Sequence, residues 1–245
     1  MRVVRLYTKH HLASDIELEL DDDTRHYAFS VLRLNKNSSL TLFNGDGFDY
    51  NCEILSCSKT NLHVRTTSRT SIKTESHLNT ILYLGVSKST HMDYAIQKCI
   101  ETGVSSIQPV LMERTVSKSN KKSLANKHKH WQRIIQSACE QSGRAVLPKL
   151  LTICELSEIE PINAEEFGIL FEANATQSLK SIHDIKSKRI KLVVGPEGGI
   201  TEAEIALLKN KGFQSIHCGP RILRTETAAL TAVVTMQILF GDMAS

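Results

Sequence analysis

Up to about residue 72 the apolar and β-branched positions come in short runs separated by turn-forming residues, the pattern of strands. Runs at Arg2–Tyr7, Ile16–Leu20, Leu40–Phe43, Tyr50–Leu55 and Leu62–Thr67 predict five strands, with a short helix over Arg25–Leu32. Asn44-Gly45-Asp46-Gly47 is the signal of a tight hairpin. From about residue 76 the period changes to alternating strands and helices, the mark of a parallel α/β sheet. Ile81–Val86 reads as a buried strand, and Met92, Ala95, Ile96, Cys99 and Ile100 share one helical face that Gly103 closes before a strand at Ile107–Leu111. Ser117–Lys129 is polar and predicts a loop; a second helix then buries Trp131, Ile134, Ile135 and Ala138 and ends at Ser142-Gly143. Trp131 is expected as a core anchor rather than a platform for a stacked base. The expected organisation is residues 1–72 as a small β-rich module and 73–245 as an α/β domain.

Composition leaves this picture intact. The chain has 245 residues, 41% hydrophobic and 23% charged, which excludes fibrous, disordered and disulfide-scaffold classes. Thr227–Gly241 is too short and too often interrupted to span a bilayer, and the first residues carry no secretory h-region, so a cytoplasmic protein with no membrane association is expected. The six cysteines form no C-x-x-C pair, and no metal-ligand cluster is visible, so no metal is expected.

Charge adds one feature. The net charge is only +4, yet Arg114 to Lys149 holds nine Lys or Arg against the single acid Glu140. Residues 1–72 sum to zero, and Cys154 to Glu172 carries six acids with no Lys or Arg. Such a run is either a solvated face or the footprint of a polyanion such as RNA. On the second reading Arg114, Lys118, Lys121, Lys122, Lys127, Lys129, Arg133 and Arg144 are the RNA-contact candidates.

The chemistry concentrates after Ile190. A buried-strand run, Ile190–Val194, leads into Gly195-Pro196-Glu197-Gly198-Gly199, and Thr201-x-x-Glu204 is a capping box that opens a helix. A strand over about Phe213–Cys218 leads into Gly219-Pro220-Arg221-Ile222-Leu223-Arg224 and a helix from about Glu226 to Phe240. Both loops therefore leave the carboxyl edge of the sheet, where ligands of open α/β sheets bind. Glycines at these positions permit close backbone approach, so Gly198→Val is expected to block a ligand with the fold intact. Neither G-x-G-x-x-G nor a Walker loop is present, which favours a neutral or cationic adenosine ligand over a dinucleotide or triphosphate.

Leu192 to Gly199, taken with Gly219 to Ala228, resembles the paired signature of the SPOUT-class bacterial 16S ribosomal RNA uridine N3-methyltransferases. Gln97–Val104, Glu113-Arg114-Thr115 and Glu140–Arg144 resemble that family's other blocks in the same order, and His26 with Val31–Leu34 resembles its N-terminal PUA-like RNA-binding module. Cys99-Ile100 departs from the usual residues of the first helix, which bears on packing rather than chemistry. The resemblance implies a small β-barrel module before an α/β domain with a trefoil knot, S-adenosylmethionine as cofactor, a homodimer, and 16S rRNA within the 30S subunit as substrate. It implies that Gly195, Pro196, Glu197, Gly198 and Gly199 line one side of the cofactor and Gly219, Arg221, Ile222, Leu223 and Thr227 the other. Methyl transfer to N3 of a uracil needs a fixed cation for charge developing on the uracil oxygens; Arg224 is the candidate, with Glu226 orienting it or accepting the N3 proton. The alternative for this pair is a helix cap without catalytic part. The alternative functions are another SPOUT activity, on tRNA or a ribose, and RNA binding without catalysis.

Overall fold

The structure, a computed structural model, describes residues 4–115, 121–182, 185 and 187–244, the side chain of Lys121 excepted. The chain forms two compact units, Met1–Glu75 with Gln136–Leu147, and Ser76–Ile135 with Pro148–Ser245.

In the first unit, β1 (Val4–Tyr7), β2 (Glu17–Glu19), β3 (Leu40–Phe43), β4 (Phe48–Cys57) and β5 (Leu62–Ser71) make a mixed sheet in the order β1-β3-β4-β5-β2. β1 pairs parallel with β3, and the other pairs are antiparallel. β4 alternates as a half-buried strand must, with Tyr50, Cys52 and Ile54 inward and Asn51 and Glu53 in solvent. The turn before it works through asparagine and aspartate: Asn44 Oδ1 accepts from the Asp46 amide at 3.2 Å, and Asp46 Oδ1 accepts from the Phe48 amide at 3.0 Å. Gly45 and Gly47 sit at φ +97° and +90°, where a side chain would be strained.

The helix expected over Arg25–Leu32 starts earlier. α1 (Asp22–His26) is capped by Asp21, whose carboxylate accepts from the Thr24 amide at 2.9 Å, and one π-type turn, Tyr27–Val31, follows. The acidic run Asp21-Asp22-Asp23 was the missed start signal.

The second unit contains β6 (Asn79–Gly85), α2 (Ser89–Glu101), β7 (Ser106–Leu111), α3 (Lys121–Ser142), β8 (Lys149–Leu150), β9 (Cys154–Glu155), β10 (Glu166–Phe171), β11 (Gln177–Ser178), β12 (Arg189–Val194), α4 (Glu202–Asn210), β13 (Gln214–His217) and α5 (Thr225–Phe240); the end of α3, from Gln136, groups with the first unit. All pairs are parallel, in the order β11-β13-β10-β12-β6-β7-β8, with β9 alongside β7. A parallel sheet covered on both faces needs continuous apolar strands, and Leu82, Leu84, Ile169, Leu170, Ile190, Leu192 and Val193 are all buried.

Two elements depart from expectation. β10, in the middle of the sheet, was hidden inside the acidic stretch, although Phe167-Gly168-Ile169-Leu170-Phe171 is a strand run. The polar segment expected as a loop is helical from Lys121, because Leu124, His128, Trp131, Ile135 and Ala138 recur at helical spacing and Lys, Ala and Leu favour helix. Trp131 is the expected anchor, 2% exposed.

α5 packs on α2, and a fully buried amide ties the two. Gln237 Nε2 donates to the Gly103 carbonyl at 2.9 Å, and Ser76 Oγ donates to Gln237 Oε1 at 2.7 Å, so the side chain is satisfied at both ends.

Lys191 and Glu166, on adjacent strands, pair at 2.7 Å with side chains 6% and 4% exposed. Burial pushes the Glu166 carboxyl up, but the Lys191 ammonium, the Asn163 amide and the Arg189 guanidinium together outweigh it, and the net shift is downward. Because its folded value lies below the unfolded one, this pair's stabilisation is complete above the ordinary carboxylate range and lost as the pH falls through it. Glu166→Ala strands the Lys191 charge and is expected to lower the unfolding free energy by about 3–5 kcal/mol, read from the urea midpoint. Glu166→Leu combined with Lys191→Met is expected to recover most of that loss.

Candidate active site

Three loops build the site, each leaving a strand's carboxyl end. β10 lies between β12 and β13, so Glu172-Ala173-Asn174 emerges between the two glycine-proline loops. Together they bound a pocket of about 690 Å³ in the second unit. Its apolar wall is Val194, Ile200, Ile216 and Leu223; its polar groups include His91, Arg114, Glu172, Glu197, Arg224 and Glu226.

The first loop is rigid for local reasons. The Gly199 amide closes a turn onto the Pro196 carbonyl at 2.9 Å, with Gly199 at φ +75°. Thr201 and Glu204 form the expected capping box. The second oxygen of Glu204 reaches further, accepting from the Glu113 amide at 2.7 Å, and thereby holds the loop after β7. Arg114 Nη1 in that loop donates to the Gly198 carbonyl at 3.1 Å. A Cβ on Gly85, the last residue of β6, would stand 2.4 Å from the Pro196 nitrogen, so the first loop crosses directly over that strand end.

These contacts revise the expectation for Gly198. Its Cβ would meet the Arg114 Cβ at 2.8 Å and the Arg114 carbonyl at 3.0 Å, so the glycine is required by a neighbouring loop whether or not a ligand approaches.

Of the predicted cofactor-lining residues, Gly195, Pro196, Glu197, Gly199, Arg221, Ile222 and Leu223 line the pocket. Ile222 is 89% exposed and stands at its rim. Gly198 and Gly219 shape the loops from behind the lining, and Gly219 needs its glycine for φ +80°. Thr227 is a correction: it is exposed, because helix periodicity turns Thr225 and Ala228 to the pocket instead.

Arg224 is the N-cap residue of α5 and Glu226 lies in its first turn. Both face the pocket. Burial raises the Glu226 carboxyl, but its own amide, His91 and Arg224 more than reverse this, leaving it below the ordinary range. Glu226 is thus an ionised carboxylate, suited to orienting cations and poorly suited to taking a proton.

His91, in the first turn of α2, was missed. Its Nδ1 is 3.0 Å from Glu226 Oε2, off the line of an ideal hydrogen bond, and its Nε2 is 3.7 Å from Glu197 Oε1. Glu197 also accepts from the Lys88 amide at 3.2 Å, closing an open N–H at the start of α2. A single histidine in a helix gives no pattern by which to find it. Glu172 was also missed; its Oε2 is buried and has no hydrogen-bond partner among the described residues.

The basic run disperses. Arg114 belongs to the pocket. Arg144 is a correction: it is 5% exposed, in the first unit, and its Nε donates to Glu75 Oε1 at 3.0 Å, so it is a buried structural cation rather than an RNA contact. Lys118 and the side chain of Lys121 lie outside the described residues. Lys122, Lys129 and Arg133 are exposed at i, i+7 and i+11 on α3, one stripe of the helix, with Lys127 off that stripe.

Residues 74–237 match the model of the RNA methyltransferase domain, and residues 20–67 that of the RNA methyltransferase PUA domain. The chain belongs to the RNA methyltransferase family. A curated relative, the ribosomal RNA small subunit methyltransferase E of Buchnera aphidicola subsp. Acyrthosiphon pisum, is 32% identical over 98% of this chain and 95% of its own length. A Legionella pneumophila methyltransferase solved with bound SAM is 33% identical, with a TM-score of 0.94 over 99% of this chain and 100% of that one. A Neisseria gonorrhoeae ribosomal RNA small subunit methyltransferase E bound to S-adenosylmethionine is 34% identical, with a TM-score of 0.90 over the same shares. This RNA methyltransferase is accordingly an enzyme of the SPOUT class with a PUA-like N-terminal unit. Among its described residues no helix is long and apolar enough to cross a membrane, and no three His, Cys, Asp or Glu side chains gather as a metal site.

In this methyltransferase Gly198→Val is expected to strain the Arg114 contact and lower thermal stability by about 1–3 kcal/mol, besides disturbing the pocket. A melting curve superimposable on the wild type would show that the two loops move apart freely.

Proposed function

We propose that this chain transfers the methyl group of S-adenosylmethionine to N3 of a uridine in 16S rRNA of the small ribosomal subunit. The observation that carries the reading is the pocket at the carboxyl edge of β10, β12 and β13, which combines an apolar slot with partly neutralised carboxylates and the Arg224 guanidinium.

The residues present fit that cofactor. Val194, Ile200, Ile216 and Leu223 suit a flat purine, and backbone groups of the three loops can read its edge. The orphaned Glu172 oxygen requires a donor, which ribose hydroxyls or an ammonium would supply. Glu172, Glu197 and Glu226 share the lining with Arg114, Arg221 and Arg224, so it is the unpaired Glu172 oxygen that favours a cationic or hydroxyl-bearing ligand there. When bound, the cofactor supplies an electrophilic methyl on a sulfonium. Arg224 faces the developing negative charge of the uracil oxygens, as a planar donor that stays protonated. Glu226 holds its neighbours in place. Alignment of the two reactants is worth on the order of 7–11 kcal/mol when ideal.

Further parts of the reading are a knot, a dimer, the assembled 30S subunit as substrate and a cytoplasmic location. α5 follows the edge-side strand β13 yet packs on α2, β12 and β6, so the chain returns past the loop after β10, which supports a knot. Tyr94 on α2 and Ile238 and Leu239 on α5 are each nearly half exposed, which supports a homodimer through these helices. The Lys122, Lys129, Arg133 stripe supports contact with RNA phosphates.

Nucleoside mass spectrometry of 16S rRNA from a strain lacking the gene, with and without complementation, is expected to show loss and return of 3-methyluridine. Arg224→Ala is expected to reduce turnover about 10²–10³-fold with S-adenosylmethionine affinity by calorimetry nearly unchanged. Lys122→Ala, Lys129→Ala and Arg133→Ala together are expected to weaken RNA binding and lower the log–log salt slope by up to about 0.7–0.9 per lost phosphate contact. An unchanged slope would make the stripe a solvated surface.

A further inference from the structure

Among the described residues His91 is the only imidazole lining the pocket, and it stands between two carboxylates carried by separate segments of the second unit. Glu226 reaches its Nδ1 from the start of α5, and Glu197 approaches its Nε2 from the loop after β12. Among the described residues Lys88, whose Nζ is 3.8 Å from Glu197, and Arg224, which acts on Glu226, also face this cluster, and Arg114, Glu172 and Arg221 share the pocket lining. The ring is 29% exposed and therefore in touch with water.

We propose that His91 Nε2 takes the N3 proton of the uracil, with Glu226 as the residue that positions the ring; this rests on the methyl transfer proposed above. An imide nitrogen must lose its proton before its electron pair can attack. Glu226 is held ionised below the ordinary carboxylate range and is a weak acceptor. Glu197 already spends an oxygen on the Lys88 amide. A neutral imidazole whose Nδ1–H points to Glu226 keeps its lone pair on Nε2, and Glu197, a carboxylate 3.7 Å away, has no proton with which to engage it. Once protonated, the ring has a carboxylate at each nitrogen, so the charge it acquires is compensated on both sides. The oblique contact with Glu226 is of the kind that straightens when substrate seats.

The step balances. The N3–H bond breaks and an Nε2–H bond forms; the pair left on N3 makes the new bond to the methyl carbon, while the pair of the broken carbon–sulfur bond stays on sulfur. His91 then returns its proton to solvent through its exposed edge.

The test has a spectroscopic arm and a kinetic arm. Nitrogen-15 NMR of the free protein is expected to show His91 as the Nδ1-protonated tautomer, with Glu226→Ala allowing the other tautomer to appear. His91→Asn keeps a donor directed at Glu226 but has no basic nitrogen; His91→Ala removes both. Both are expected to melt near the wild type and bind S-adenosylmethionine normally, to methylate about 10²-fold or more slowly at neutral pH, and to lose the acid limb of the wild-type rate–pH profile. Near-normal rates in His91→Asn would make His91 a positioning residue only, and an Nε2-protonated ring in the wild type would overturn the assignment outright. A wild-type enzyme that forms no 3-methyluridine on 16S rRNA or 30S particles would sink the methyl-transfer reading and this proposal with it. An active wild type with unaffected His91 variants would sink the proposal alone.

Discussion

Strand order governs the rest of this molecule. A parallel sheet sends every carboxyl end to one edge, and placing β10 between β12 and β13 forces three loops from distant parts of the chain to share a few ångströms of that edge. None of them could enclose a ligand alone. The buried apolar strands below act as a stiff floor, and the loops above are held by their own turn geometry and by each other. The pocket therefore exists before any ligand arrives, so little binding energy is needed to organise it.

Electrostatics then sorts the side chains. In the second unit Glu166 and Lys191 pair, buried, within the sheet, while Glu172, Glu197 and Glu226 stand at its carboxyl edge, where they are only partly neutralised. Glu226 shows how finely the local field decides a role. Burial pushes its carboxyl up, but its own amide, the His91 imidazole and the Arg224 guanidinium together bring it below the ordinary range. The proton chemistry is thereby passed to the ring it contacts.

What the sequence made legible was whatever repeats locally. Thr201 with Glu204, Gly103 and Gly143 at positive φ, the buried face of α2 and the run into Gly195 were readable because each depends on neighbours within a few residues. β10 escaped because flanking acids masked a five-residue apolar run, and the start of α3 because a helix can be polar on most of its surface and still bury Trp131 and half-bury Leu124 and His128. Arg144 escaped for a different reason: Glu75 lies far away in sequence, and only folding decides which cation of a basic run is buried. His91 and Glu172 likewise acquire meaning only from residues that the sheet brings to them. The family signature supplied the location of the chemistry, but not the partners that set its charge states.

The Glu204 side chain has a mechanical consequence. One carboxylate grips the amide of Thr201 at the head of α4 and the amide of Glu113 beyond β7, while Arg114 returns a bond to Gly198. Two loops clamped at two points form a truss, and a truss transmits load. A tug on the glycine segment from inside the pocket is felt at Arg114, and pressure on Arg114 from outside is felt at the glycine segment. A displacement of either loop is therefore shared with the other, through the Glu204 carboxylate and the Arg114–Gly198 bond together.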